Sequence, residues 1–477
     1  MIRRIVPVAA LAAALSACTA GPDYHVPEGA AARAPAANGA FLGARDKAFA
    51  AVPLPDHWWR LYDDALLDSL VTEGLAANTD LRAADANLRA ASAIVREAES
   101  ERTIQTGLSG GAALSRPNGT GGSLPGQVGY DLGGSLSYPL DLAGRIRRSI
   151  EAAQADAEAS EAARDEVRVT VAAAVTRAYA STCTANVRIA AANRVIGIQQ
   201  QTFTATRRLQ QGGRYTAFDV TRAQAAVEQS QAQLPALVAA RQASLFELAA
   251  LLGRAPADYP RTVESCRKLP LVRSVVPVGD GAALIRRRPD IRRAERSLAA
   301  ATAQIGVVTA NLYPQVSLGG SAGFTGPLSP LGVGNAFHLS LGPLISWTFP
   351  NRTLVRAQIA VAGAQADAAL AQFDGTVLEG LRQTETALSA YARTRDQVAD
   401  LTRARDSAAR AVSQANRLTR FGRGTFLDTL SAQATLASAE ASLASAQAAL
   451  VDAEVSLFLA LGGGWTADTA EPVATTK

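Results

Sequence analysis

The chain of 477 residues is poor in the side chains that carry out chemistry. Its three histidines, His25, His57 and His338, are scattered without the spacing of a metal site. No Ser/His/Asp or Cys/His arrangement is present at suggestive spacing, and there is no phosphate-binding glycine loop. These absences argue against an enzyme and imply neither metal nor cofactor. An excess of one charge is missing too. There are 47 basic residues against 42 acidic, a net +5. The two signs interleave along helical stretches, which makes solvated faces rather than a nucleic-acid patch. Proline is absent from two tracts of some 65 residues, 144–209 and 352–419, so nothing there breaks a helix.

The apolar run Ile5 to Leu15 is too short to span a bilayer and suits a secretory signal behind Arg3 and Arg4. It ends Leu15-Ser16-Ala17-Cys18, the pattern of a bacterial lipobox. The expectation is a signal peptide over 1–17 and acyl chains, palmitate among them, on Cys18. Losing Arg3 and Arg4 lowers the net charge from +5 to +3. Thr19, in place of an aspartate, favours the outer membrane. Two cysteines remain, Cys183 and Cys266. In an oxidising compartment they can form a disulfide, or they can be two buried thiols.

The chain is written twice. Asn78-Thr79-Asp80-Leu81-Arg82 returns 210 positions later as Arg288-Pro289-Asp290-Ile291-Arg292. Residues 107–114 (GLSGGAAL) return at the same offset as 317–324 (SLGGSAGF), and Leu252-Gly253 returns as Leu461-Gly462. Ordered landmarks at nearly one offset indicate a tandem duplication. Each half reads as helix, strand pair, very long helix, turn, long helix.

The strands alternate with period two. Val128, Tyr130, Leu132, Leu136, Tyr138 and Leu140 share one face, against Gly129, Asp131, Gly133, Ser135 and Ser137. Phe337, Leu339, Leu341, Ile345, Trp347 and Phe349 do the same against His338, Ser340, Gly342, Ser346 and Thr348. The expected strands are 105–115 and 128–140, then 315–325 and 337–349, as two hairpins amid helices. Each is long enough to cross a bilayer at a tilt. Four strands cannot close a barrel, and open edges are forbidden in lipid. If the strands enter a membrane, several chains must pool them; three would supply twelve. A tract of some 65 residues makes a helix of about 100 Å. Leu436, Leu443, Leu450 and Leu457, interleaved with alanines, form a coiled-coil seam. Pro235 predicts a bend in the corresponding first-half helix.

Residues 56–81 (DHWWRLYDDALLDSLVTEGLAANTDL) and 286–318 (RRRPDIRRAERSLAAATAQIGVVTANLYPQVSL) resemble the two signatures of the TolC-like outer-membrane efflux proteins. With Cys18 in front, the resemblance is to the lipoprotein (OprM/NodT-like) branch. It implies a mainly α protein with membrane β. In it, four strands per chain build a twelve-stranded outer-membrane barrel in a homotrimer, continued by a periplasmic helical barrel with an equatorial domain. It implies an exit duct for small molecules, docked on a periplasmic adaptor and an inner-membrane pump of the resistance-nodulation-division class. The duct of a type I protein secretion system and a periplasmic coiled-coil adaptor lipoprotein are the alternatives. The expected organisation is 18–63 lipidated and equatorial, 64–253 first repeat, 254–281 equatorial linker, 282–462 second repeat and 463–477 tail. Cys183 and Cys266 would then both lie at the equator, which implies a disulfide between them.

The site residues expected of such a duct lie in two turns, Gln211 to Asp219 (QGGRYTAFD) and Arg420 to Asp428 (RFGRGTFLD). Thr216 with Asp219 and Thr425 with Asp428 have the spacing of capping boxes. The resemblance implies that Asp428 rings a periplasmic constriction, with pKa values raised by repulsion between copies; Ser431 stands where some members carry a second acid. Arg214 and Arg423 are candidates for tying neighbouring hairpins to carboxylates such as Asp219. Gly212, Gly213, Gly422 and Gly424 would give the turn geometry and close approach for an adaptor.

Overall fold

The computed structural model describes residues 19–115, 127–272, 274–327, 337–421 and 423–463. Cys18 and Gly422 lie outside them. The chain forms two compact units, one of residues 1–30, 86–161 and 293–375, the other of 31–85, 162–292 and 376–477.

The first unit holds the long strands. Strand β2 (Gln105–Ser115) pairs with β3 (Gln127–Leu140), and β5 (Gln315–Pro327) with β6 (Phe337–Ser346), each antiparallel. The two hairpins do not stand apart. Strand β3 also pairs with β5, from Gly129 opposite Pro327 to Leu140 opposite Val316, giving one sheet in the order β2-β3-β5-β6. The register sorts the two faces, with Leu344, opposite Ser317, as an apolar residue on the polar side. Leu132 lies opposite Phe324, and Ala322 opposite Leu339, on the apolar face. Asp131 lies opposite Thr325, and Ser321 opposite Ser340, on the small polar one. The apolar face is bare: Leu108 is 86% exposed and Leu341 83%. Strand β6 is shorter than expected, stopping at Ser346 rather than 349. Its last partner is Gln315, the first residue of β5, and Pro314 before it has no N–H to extend the ladder. Trp347 and Phe349 follow as an exposed ring pair, centroids 5.0 Å apart. Strand β5 runs two residues past the expected 325, to Pro327.

The rest of this unit fixes the N-terminal segment. The Ala20 amide donates to the Ala143 carbonyl at 3.0 Å, and Arg148, buried, donates to the Ala20 carbonyl and the Asp23 carboxylate. A Cβ on Gly144, whose φ is +76°, would lie 2.5 Å from the Thr19 side chain, so this position requires glycine.

The second unit is helical. Helices α1 (Ala65–Ala77) and α2 (Thr79–Ser100) open the first repeat, and α6 (Gly281–Arg287) and α7 (Pro289–Thr309) the second, α2 and α7 belonging to the first unit from residues 86 and 293 on. The long helices are α3 (Arg145–Gln211) and α8 (Arg352–Arg420), both running from the first unit into the second. After the first turn come α4 (Ala217–Ala232) and α5 (Leu234–Leu251), separated at Gln233 because Pro235 cannot donate into the preceding turn. After the second comes unbroken α9 (Phe426–Ala460). Its seam is covered: Leu436, Leu443, Leu450 and Leu457 are all buried, Leu436 against Ala408 and Val412 of α8. The chief core gathers Trp58, Trp59, Leu67, Val175, Leu248, Leu388, Val455 and Phe458. At its edge β1 (Phe49–Ala50) pairs in parallel with β4 (Val276–Pro277), stitching residues 254–281 to the N-terminal segment.

The duplication is visible in the contacts. The Asn78 side-chain amide donates to the Leu251 carbonyl, and Arg288, its counterpart, donates to the Ala460 carbonyl, the counterpart of Leu251. Different chemistry closes the same helix end in each repeat. Gly253 and Gly462 follow with φ of +68° and +83°.

Cys183 of α3 and Cys266 of the linker are joined as a disulfide, Cα atoms 5.0 Å apart, at the margin of this core. The bond closes a loop of 83 residues. Cys183→Ala should therefore cost about 2–4 kcal/mol, read as a lower thermal midpoint. Reductant should lower the midpoint of the wild type and leave that of the variant unchanged. Two reactive thiols in denatured, unreduced protein would contradict the bond.

Candidate functional site

The two turns are built alike. In the first, the Arg214 amide donates to the Leu209 carbonyl; in the second, the Arg423 amide donates to the Leu418 carbonyl, both at 2.9 Å. Gly213 has a φ of +71°, which ends α3 in the left-handed conformation natural to glycine. A Cβ on Gly424 would lie 3.0 Å from that of Leu418, so the second turn is a close approach of backbone to side chain. Gly212 packs beside the last carbonyls of α3.

Both Thr/Asp pairs form capping boxes. The Asp219 amide donates to Thr216 Oγ1, and Asp219 Oδ2 accepts from the Thr216 amide at 2.9 Å. In the second turn the Asp428 amide donates to Thr425 Oγ1 at 3.1 Å, and Asp428 Oδ2 accepts from the Thr425 amide at 2.9 Å. Backbone and hydroxyl donors of Thr216 hold Asp219 below the usual carboxylate range. The hydroxyl, then the amide, of Thr425 does the same for Asp428. Within one chain, then, Asp428 is depressed rather than raised, because its cap supplies donors to the ionised form. Neither Arg214 nor Arg423 pairs with a carboxylate among the described residues.

The turns also carry bare apolar side chains. Phe218 and Leu427, two positions into α4 and α9, are 67% and 47% exposed, and Phe421 is 74% exposed. The place of Phe218 and Leu427 inside the two T-x-x-D boxes was the available signal, overshadowed by the acid that follows each.

A second group escaped the sequence reading altogether. Glu454 of α9 is fully buried, beside Tyr62 and Tyr391 of the main core. Both its oxygens accept from the Val272 amide of the linker, at 3.2 and 3.4 Å. Burial pushes its carboxyl up to about 8, against the pull of those donors. Burial, then the Glu454 charge, pushes Tyr391 up to about 12. The signal was one acid in an Ala/Leu seam; at the matching position of the first repeat stands Leu245, also buried.

The architecture is that of an outer-membrane duct: a four-stranded sheet, bare on its apolar face, in a chain of very long paired helices. The family model described as "Outer membrane efflux protein" matches residues 70–254 and 282–463, and the chain belongs to that family. It is 30% identical to Nodulation protein T of Rhizobium leguminosarum bv. trifolii, over 94% of this chain and 95% of that one. It is also 30% identical to outer membrane protein OprJ of Pseudomonas aeruginosa, over 95% of each. The solved outer-membrane channel OprN superposes with a TM-score of 0.86 at 35% identity, covering 94% of this chain and all of that one. The protein is thus an outer-membrane efflux channel of the OprM/NodT-like group, with a transport role.

Because the folded state holds the Glu454 proton up to about pH 8 while an unfolded glutamate releases it near 4.3, stability falls as pH rises between those values. Above them the folded state carries a buried charge, a penalty on the order of 4 kcal/mol. Glu454→Gln removes it. Thermal unfolding should place the variant above wild type at pH 8 and close to it at pH 5; parallel curves across that range would contradict the assignment.

Proposed function

We propose that the chain is the outer-membrane exit duct of a tripartite efflux system, joined through a periplasmic adaptor to an inner-membrane pump of the resistance-nodulation-division class. The observation that carries this reading is the sheet. Its apolar face is suited to lipid, yet β2 and β6 each keep one unpaired edge. Hydrocarbon does not tolerate such edges, so the edges of neighbouring copies must meet. A homotrimer brings β6 of each copy to β2 of the next and closes twelve strands. The adaptor-lipoprotein alternative has no use for this sheet.

The helices support the same assembly. The apolar stretch of Ala217–Leu251 is only 17% buried within one chain, against 56% for that of α9. In this reading α4 and α5 bury that face against the next copy as part of the periplasmic tube. Residues 18–63 and 254–281 form the equatorial belt, with the Cys183–Cys266 bond inside it. Cys18 would carry the lipid. Its neighbour Thr19 is already fixed against Gly144, just past the end of β3, at the membrane end of α3. Acyl chains on Cys18 would lie near the strands they accompany into the bilayer.

The turns become the periplasmic tips. Three copies of Asp428 converging on the axis make a cation-favouring constriction, where mutual repulsion opposes the depression that Thr425 produces in each chain. Arg214 and Arg423, without a carboxylate partner among the described residues, would reach carboxylates such as Asp219 of neighbouring hairpins. Phe218, Phe421 and Leu427 give the adaptor an apolar surface, with Gly212, Gly213, Gly422 and Gly424 allowing close approach.

Protein purified in detergent should have the mass of three chains and conduct in planar bilayers. Asp428→Ala should raise single-channel conductance and weaken block by multivalent cations. Unchanged conductance and block would remove Asp428 from the constriction, and a monomeric, non-conducting protein would overturn the duct reading.

A further inference from the structure

Among the described residues of the four long strands there is one carboxylate, Asp131 of β3, and one imidazole, His338 of β6, with no lysine or arginine. The register puts both on the small polar face. Asp131 lies between Gly111 of β2 and Thr325 of β5, and His338 lies opposite Gly323 of β5. Both stand at the same end of the sheet. Asp131 is four residues after the start of β3, and His338 one after the start of β6. At the opposite end the strands connect to helices, so this end is the one remote from the periplasmic tube.

Each charged side chain leans over a glycine. A Cβ on Gly111 would lie 3.1 Å from Asp131 Oδ1, and one on Gly323 would lie 2.7 Å from His338 Cε1. The groups facing them from neighbouring strands are Ser109, Gly133, Ser321 and Thr325, none charged. Among the described residues, no charged group from a neighbouring strand neutralises either side chain.

We propose that Asp131 and His338 form an alternating ring at the extracellular mouth of the barrel, which gives the exit a cation preference at neutral pH and cancels it in acid. The inference rests on the trimeric barrel proposed above. With strand order β2-β3-β5-β6 repeated around a closed ring, Asp131 and His338 fall on every second strand in strict alternation. His338 stands level with Gly133, two residues along from Asp131. Two strand spacings and two rises therefore put the charges on the order of 12 Å apart, not far beyond the screening length of about 8 Å at physiological ionic strength, and neighbouring fields still overlap. An imidazole changes charge between about pH 5 and 8. Three carboxylates therefore act alone at high pH and face three imidazolium groups at low pH. The rest of the face is uncharged, chiefly glycine, serine and threonine with Ala113 and Leu344 among them.

The test is the reversal potential in neutral-lipid bilayers under a KCl gradient, in an Asp428→Ala background so that the tip carboxylates do not dominate. The potassium-to-chloride permeability ratio of this parent should fall roughly three-fold from pH 8 to pH 5. Adding His338→Gln should hold it at the pH 8 value throughout. Adding Asp131→Asn should lower it at pH 8 and bring it below one at pH 5. Should glutamine prevent assembly, His338→Ser, matching Ser321 and Ser340 of the same face, replaces it. Conducting trimers in which His338→Gln keeps the parent's pH response, or Asp131→Asn changes nothing, overturn the ring alone. Absence of trimers or of conductance overturns the barrel, and the ring with it.

Discussion

A strand edge facing hydrocarbon leaves its N–H and C=O groups with nothing to bond, at several kcal/mol for each. The rest of this molecule is arranged around that constraint. The inner ladders β2–β3, β3–β5 and β5–β6 satisfy their own backbones. The outer edges of β2 and β6 have no strand partner among the described residues, and the proposed trimer rests on that. The uncovered apolar face of α4 and α5 is the counterpart among the helices.

The duplication supplies the parts, and the departures from it mark where the repeats took on separate work. Asn78 and Arg288 close equivalent helix ends with an amide and a guanidinium. Leu245 and Glu454 occupy equivalent core positions, one apolar and one ionisable. The carboxyl is thus not demanded by the packing of α9. Its partner, the Val272 amide, belongs to the linker that has no counterpart in the other half. The disulfide and the β1–β4 pairing hold the same linker. Three attachments of different chemistry keep this one irregular segment on the helices.

Much of this was legible in the order of residues, because period-two alternation, a seven-residue leucine seam and paired T-x-x-D boxes are local patterns with local causes. Strand β2 and the long helices fall within a few residues of their expected limits for that reason. What escaped depends on partners distant in sequence. The β3–β5 pairing that merges two hairpins is set by contacts across the repeats. The early end of β6 is set by Pro314 on another strand, although Trp347 and Phe349 continue the alternation. Glu454 reads as an ordinary surface acid until the fold surrounds it. Asp428 was legible as a cap, and the box forms; its place in a ring belongs to the proposed function. Which influence governs its charge depends on whether one chain or three is considered.

The β3–β5 ladder also bears on the order in which the protein can be made. Its two strands come from opposite repeats, so the sheet's central seam joins only after most of the chain has been synthesised and exported. Such distant pairings close late, since loop entropy must be overcome before they return any contact. Until then each hairpin is a two-stranded ribbon, too small to be stable alone in water. The membrane-seeking surface is therefore divided between two halves during transit across the aqueous periplasm. It becomes continuous only when both have arrived, which shortens the time in which a sticky, open-edged sheet is exposed to aggregation.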